Sequence, residues 1–373
     1  MDKHIHIVTH DVPWPVDFGG MFDLFYKIKN LHEIGVHVHL HCFTNKRAEQ
    51  TMLNRYCETV NYYPRDTSFK SFSFNIPFIV KSRSSTTLLE NLQKDNYPIL
   101  LEGIHCTYLL YKMKLEGRKV MVRLHNVEYL YYNQLAVHED NLFKKLYYQY
   151  ESFLLKKYER RIGQLADIIT LSKKDASDYT NELKAKNVLF LPVFLQWNDV
   201  NSPLDCGTFC LYQGNLEINE NDKAATWLLE NVFNTLEIPF VIAGKNPSKA
   251  LQKKAHVKPY TCIVVNPSDY EMQDMINKAQ INILPSFNKT GIKLKILNAL
   301  YNGRHCVVNL KAIDKSDLMR ICHISNDAEE MKNKINELFK QPFTQDEINR
   351  RKELLNNKFN NIKNAHQLME WLH

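Results

Sequence analysis

Asn288-Lys289-Thr290-Gly291-Ile292-Lys293-Leu294-Lys295-Ile296-Leu297-Asn298-Ala299-Leu300-Tyr301-Asn302-Gly303 is the stretch whose reading organises the rest of the chain. Leu294, Leu297, Leu300 and Tyr301 recur three and four residues apart, so a helix over 292–301 presents one apolar face. Thr290 suits its amino-terminal cap, and Gly303 suits a left-handed residue after the last turn. Gly291 leaves room beside the free amides of the first turn, while Lys293 and Lys295 add charge at the positive end of the helix dipole. Such an end favours a phosphate. The alternative is an ordinary amphipathic helix with solvated lysines.

Outward from this helix the sequence alternates short β-branched or apolar runs with helical stretches, the beat of βαβ units and a parallel sheet. The second half reads as strands over 209–213, 240–243, 261–265, 281–284, 306–308 and 321–324, with helices over 223–236, 270–278 and 292–301. The first half reads as strands over 4–10, 36–43, 60–63, 99–102, 120–125, 168–172 and 188–193, with a first helix over 21–34. Between the two series, residues 196–208 form a polar break containing Asn198, Asp199, Asn201, Ser202, Pro203, Asp205 and Gly207. An α/β chain of two Rossmann-like lobes follows, residues 1–200 and 201–349. Ligands of such sheets bind at the carboxyl ends of the strands. The tail carries Leu354, Leu355, Phe359, Ile362, Leu368 and Trp371 at near-helical spacing, and its last part, about 350–373, is expected to pack back on the first lobe.

Composition agrees with a two-lobe globular protein and narrows its partners. The chain has 373 residues, 44% apolar and 24% charged, too many for one ordinary α/β domain and too apolar for a disordered polymer. No stretch approaches the ~20 apolar residues of a membrane span, and the opening Met1-Asp2-Lys3-His4-Ile5-His6-Ile7 lacks the form of an export signal. A cytoplasmic location is therefore expected. The eight cysteines are scattered without a disulfide framework, which fits a reducing compartment. Cys206 and Cys210 have no second ligand pair nearby, so zinc is not expected. A net charge of +7 favours anionic partners, but there is no nucleic-acid module and nucleic acid is not expected among them.

Gly291-Ile292-Lys293-Leu294-Lys295-Ile296-Leu297-Asn298-Ala299 resembles the donor-binding helix of the retaining GT-B glycosyltransferases of family 4. The resemblance implies that Lys295 meets the donor phosphate and that Asn298 stands where a glutamate holds the ribose hydroxyls. Thr290 stands where the family has its other acidic residue, so both carboxylates are replaced. A neutral amide offers one accepting oxygen and weaker hydrogen bonds than a carboxylate.

Three other segments extend the likeness over nearly the whole chain. Asp11-Val12-Pro13-Trp14-Pro15-Val16-Asp17-Phe18-Gly19-Gly20 is similar to the family's glycine-rich loop, where Gly19 and Gly20 permit a diphosphate to approach and Asp17 borders the acceptor side. Arg123-Leu124-His125-Asn126-Val127-Glu128 resembles the R-x-H-N-x-E segment. It implies that His125 acts on the donor sugar or its phosphate while Arg123, Asn126 and Glu128 shape the site. The other reading is a satisfied histidine at a strand end. Tyr212-Gln213-Gly214-Asn215-Leu216 resembles the start of the donor lobe, with Asn215 where many members have an arginine. Gly244, Lys245 and residues 283–286 are similar to the next strand ends that line the nucleotide pocket. Lys293 and Lys295 then carry more of the phosphate charge.

The resemblance implies sugar transfer from a nucleoside diphosphate sugar, a UDP- or GDP-sugar, to a glycan or lipid-linked acceptor, with retention at the anomeric carbon. His125 and Lys295 are the catalytic residues on this reading. No metal or other cofactor is implied, and a monomer is the default. The alternative is a catalytically silent protein of the same architecture. Histidines at 4, 6, 37, 39 and 41 alternate along two strands without carboxylates in either run, which favours packed imidazoles over a metal site. Residues 142–165 carry six Lys and Arg interleaved with aromatic and aliphatic side chains. They read either as a solvated face or as a dock on an anionic inner membrane.

Overall fold

Two separate parallel sheets organise the protein, seen in a computed structural model that describes residues 3–16, 19–45, 47–287, 291, 293–313 and 316–373. The first unit comprises Met1–Gln196 together with Phe359–His373 and the short segment 290–292. The second comprises Trp197–Lys289 and Lys293–Lys358.

The first sheet contains β1 (Lys3–Thr9), β2 (Val36–Thr44), β3 (Thr59–Pro64), β4 (Ile99–Glu102), β5 (Val120–Leu124), β6 (Asp167–Thr170) and β7 (Val188–Phe190). Their order is β3-β2-β1-β4-β5-β6-β7. The central strands are apolar on both faces because both faces are covered. Val8, Leu101, Val122 and Leu124 pack with Leu155, Tyr158 and Ile162 of the helix Leu142–Leu165. On the other face Ile5, Ile7, Leu100 and Met121 pack with Phe25, Ile28 and Leu31 of the helix Gly19–Glu33.

That second face is completed by the helix Asn361–Leu372, whose Ala365, Leu368, Met369 and Leu372 join the same core. Each of the three larger side chains contributes about 1.5–3 kcal/mol by leaving water. Asn360 caps this helix through Lys363 N at 2.9 Å, and Asn361 fastens it by exchanging hydrogen bonds with the Leu195 backbone, at 3.0 and 2.6 Å.

The second sheet contains β8 (Cys210–Asn215), β9 (Phe240–Lys245), β10 (Thr261–Val265), β11 (Ile281–Ile283), β12 (His305–Val308) and β13 (His323–Ile324), ordered β10-β9-β8-β11-β12-β13. The tail divides rather than moving as one piece. The helix Gln345–Lys358 stays with the second unit, where buried Arg351 donates to the Leu300 and Gly303 carbonyls at 3.2 and 2.6 Å.

Several local expectations are corrected. The last strand of the first sheet ends at Phe190 rather than at residue 193, because Pro192 has no N–H for a ladder and the Leu191 and Pro192 carbonyls accept from Arg123 instead. The lysine-bearing helix runs Leu294–Asn302 with Lys293 as its N-cap, so it starts later than residue 292. Gly303 is extended, with φ −105° and ψ 172°, and not left-handed. Its glycine is required by crowding: a Cβ there would collide with Asn282 Nδ2.

Candidate functional site

In the first unit the chemistry gathers where β1, β4 and β5 end. The helix Gly19–Glu33 places Asp23 and Lys27 one turn apart on its buried side, and the apolar run of β4 stops at Glu102. Arg123 on β5 clamps Asp23 with Nε and Nη2 at 2.9 and 2.8 Å. Lys27 Nζ bridges Asp23 at 3.2 Å and Glu102 at 2.6 Å. His125, just beyond β5, sets Nε2 3.2 Å from Glu102 Oε2 and 3.6 Å from Asp23 Oδ2.

These charges determine one another. Burial opposes ionisation of Asp23, yet Arg123 and Lys27 hold it well below the carboxylate range. Burial likewise opposes the Glu102 charge, and Lys27 and His125 outweigh it. Burial disfavours the His125 imidazolium, but hydrogen bonds to Asp23 and Glu102 prevail and raise its pKa above that of a free histidine. The network therefore stabilises a protonated imidazole.

The expected neighbours of His125 separate into different roles. Arg123 is fully buried, and its guanidinium is committed to Asp23 and the Leu191 and Pro192 carbonyls. It positions Asp23, which is one way of shaping the site. Glu128 opens the helix Glu128–His138, where burial pushes its carboxyl up to about 7. The free amides of Glu128 and Tyr129 donate to Glu159 at 2.9 and 3.0 Å, so a residue of another helix caps this one. Asn126 is partly buried, and a Cβ on Gly291, which has φ +68°, would lie 2.8 Å from its Oδ1. Gly19 and Gly20 begin the helix that follows β1, while Asp17 lies outside the described residues.

In the second unit Lys295 occupies the first turn of its helix. Its Nζ donates to Asn221 Oδ1 at 3.0 Å and Tyr212 OH at 3.3 Å, and lies 4.8 Å above the Tyr212 ring. Among the described residues no carboxylate lies within ion-pair distance of it. Burial, then repulsion from Lys293, lowers its pKa to about 8, with Glu220 acting the other way. Burial also lowers Lys293. Gln213 Nε2 donates to the Lys295 carbonyl at 3.2 Å, and Asn221 Nδ2 donates to the Asn215 carbonyl at 2.9 Å. This ties the turn after β8 to the helix.

The remaining predicted residues are placed as follows. Asn298 Oδ1 accepts from Asn302 Nδ2 at 2.8 Å, so its oxygen has a partner within the helix. Gly244 is explained by packing, since a Cβ there would collide with the Gly214 carbonyl. Gly214 leaves room for the Asn221 amide at 3.4 Å. Lys245 is exposed at the end of β9, and Asn215 Oδ1 accepts from Glu217 N at 3.1 Å. Thr290 and Ile292 lie outside the described residues.

Asp23, Lys27 and Glu102 were not legible as site residues. The available signal is a charged pair four residues apart beside apolar Met21, Leu24 and Ile28, and a glutamate ending the run Ile99-Leu100-Leu101. Asp23, Glu102 and His125 present ligand atoms within 4.8 Å of one another, as a metal site does. Here Lys27 and Arg123 already neutralise both carboxylates, which does not fit a resident divalent ion. The strand histidines form a relay instead: His6 lies 2.9 Å from both Asp95 Oδ1 and His41 Nε2, and His41 Nδ1 lies 2.7 Å from Tyr63 OH.

Comparison with known proteins adds the following. Residues 208–341 match the family model described as glycosyl transferases group 1. An uncharacterized 44.6 kDa protein in the cps region of Klebsiella pneumoniae is 30% identical over 323 residues, covering 80% of each chain. Among solved structures, the lipopolysaccharide outer core galactosyltransferase WaaB aligns with a TM-score of 0.63 at 14% identity, over 98% of this chain and 99% of the other. A glycosyltransferase from Rickettsia africae ESF-5 aligns with a TM-score of 0.62 at 13% identity, over 99% and 98%. At such identities the likeness speaks for the fold, the GT-B arrangement of two Rossmann-like α/β lobes.

Proposed function

The chain belongs to the glycosyl transferases group 1 family, and on that premise we propose that it moves a sugar from a UDP- or GDP-sugar to a glycan or lipid-linked acceptor, with retention. The observation that carries this reading is Lys295, a partly buried ammonium held by neutral partners at a helix amino terminus. A cation so placed answers a diphosphate, which gains charge as it leaves. The bond from the anomeric carbon to the donor phosphate breaks with its electron pair going to the phosphate oxygen. The acceptor hydroxyl forms the new bond on the same face, and its proton goes to the departing phosphate oxygen. In the first unit, Asp23 and Glu102 favour the protonated form of His125, which suits it to an anionic or hydroxyl-bearing ligand.

The relative from a cps region supports a place in polysaccharide assembly. No helix of the described residues is long and apolar enough to cross a membrane. Leu142, Phe143, Leu146 and Phe153 are exposed on the lysine-bearing helix Leu142–Leu165, which supports docking on an anionic membrane surface where lipid-linked acceptors reside.

A second reading, a silent sugar-binding protein, is favoured by one observation: the Asn298 oxygen already has a partner in Asn302. Thermal stabilisation by UDP, GDP, ADP and their sugars, compared with Lys295→Ala, separates the two. The transferase reading expects a selective shift with one nucleotide, lost in the variant, followed by release of that nucleotide during turnover. Binding without turnover favours the silent protein, and no shift with any nucleotide removes the donor site.

A further inference from the structure

A second group of basic side chains lies beside His125, within the first unit, and the transfer chemistry described above does not use it. Arg83 is only 6% exposed. It donates Nε to the His10 carbonyl at 3.1 Å and Nη1 to the Ile79 carbonyl at 2.6 Å, and among the described residues Nη2 has no hydrogen-bond partner. No carboxylate lies within ion-pair distance of it among the described residues. A guanidinium withdrawn from water without a counter-charge is costly, and its ordinary remedy is an oxyanion. Arg65 lies near, donating Nε to Ser82 Oγ at 3.0 Å and likewise lacking a carboxylate partner.

Two histidines complete the group. His10 follows β1 and His105 follows β4, and their rings stack at 4.9 Å, with His10 edge-on to His125 at 5.8 Å. Nδ1 of each is buried and unpartnered. Both Nδ1 atoms face Gly103, which has φ +78°, and a Cβ there would stand 2.9 Å from the His105 atom and 3.8 Å from that of His10. The glycine thus keeps space for both imidazoles. Burial pushes the carboxyls of Asp11 and Glu128 toward the neutral form.

We propose that Arg83, Arg65, His10 and His105 form a subsite for a phosphate or diphosphate carried by the acceptor. This rests on the transferase reading, since it specifies the acceptor of the same reaction. The acceptor then presents its hydroxyl near His125 while its anionic group occupies the basic cluster. Both a lipid-borne diphosphate and a phosphorylated sugar have this chemistry.

Thermal shifts with inorganic pyrophosphate test the assignment. In Lys295→Ala the shift with UDP is lost and a shift with pyrophosphate persists. Adding Arg83→Gln weakens pyrophosphate by about tenfold or more. Because Arg83 is buried, Arg65→Gln and His105→Gln repeat the measurement at half-buried positions in the same background, each with an unfolding midpoint as control for the fold. Farnesyl diphosphate and glucose 1-phosphate then distinguish lipid-borne from sugar-borne phosphate by which binds more tightly. Loss of all pyrophosphate binding in Lys295→Ala alone, or undiminished binding in every cluster variant, overturns the subsite and leaves the donor reading standing. Absence of any UDP shift, with a pyrophosphate shift that Arg83→Gln removes, does the reverse.

Discussion

The network around Asp23 and the surroundings of Lys295 handle charge in opposite ways. In the network that includes His125 each ionised group has an ionised partner: Asp23 is held by Arg123 and Lys27, and Glu102 by Lys27 and His125. Around Lys295 the partners are a phenol, an amide and an aromatic face. A closed network fixes geometry and resists new ligands, because each added charge would displace an existing one. An ammonium with only neutral partners leaves its compensation to whatever binds. Preorganisation thus belongs to the network of Asp23 and Glu102 and ligand-dependent charge neutralisation to Lys295.

Breaking the closed network has the largest expected effect. Asp23→Asn leaves Arg123 and Lys27 without their shared carboxylate and should cost about 3–5 kcal/mol in urea unfolding. A cost of a few tenths would mean that the network is not a structural unit. The next effect follows from pH. Lys295 has a folded pKa of about 8 against 10.5 for the free side chain, so its proton leaves as pH rises through about 8. UDP affinity measured calorimetrically should fall by up to about tenfold per pH unit above that point.

The corresponding stability terms have the same slope with pH, in two different windows. The lowered lysine pKa adds stability as pH rises from about 8 toward 10.5. The depressed Asp23 and Glu102 pKa values give stability that is present above the ordinary carboxylate range and lost as pH falls through their folded values. The smallest effect is expected at Asn298→Glu, which restores a carboxylate near the lysine and should tighten donor binding by only a few-fold, about 0.5–1.5 kcal/mol. Unchanged affinity would place Asn298 outside the ribose site.

How much of this was legible in the sequence depended on whether a signal is local. Strand positions were readable because Ile, Val and Leu runs between helical stretches need only short windows. The lysine-bearing helix was readable for the same reason, since its apolar positions fall within eight residues. Gly303 was misread because the cause of its glycine is distant. Gly303 answers to Asn282 and Gly244 to the Gly214 carbonyl, contacts that no window contains. The partners of His125 were hidden likewise, because Asp23 and Arg123 are a hundred residues apart in the chain. Arg123 belongs to a motif read as shaping the site, and only the fold shows that its partner is Asp23.

The helix Asn361–Leu372 has a consequence for the order of assembly. It supplies part of the first unit's core, yet it is synthesised only after the whole of the second unit. During translation the second unit can close on local contacts, while the first waits with the face around Phe25, Ile28 and Leu31 open to water. The half of the protein made first is therefore the half finished last, and a nascent chain needs protection of that face until the ribosome has delivered its cover.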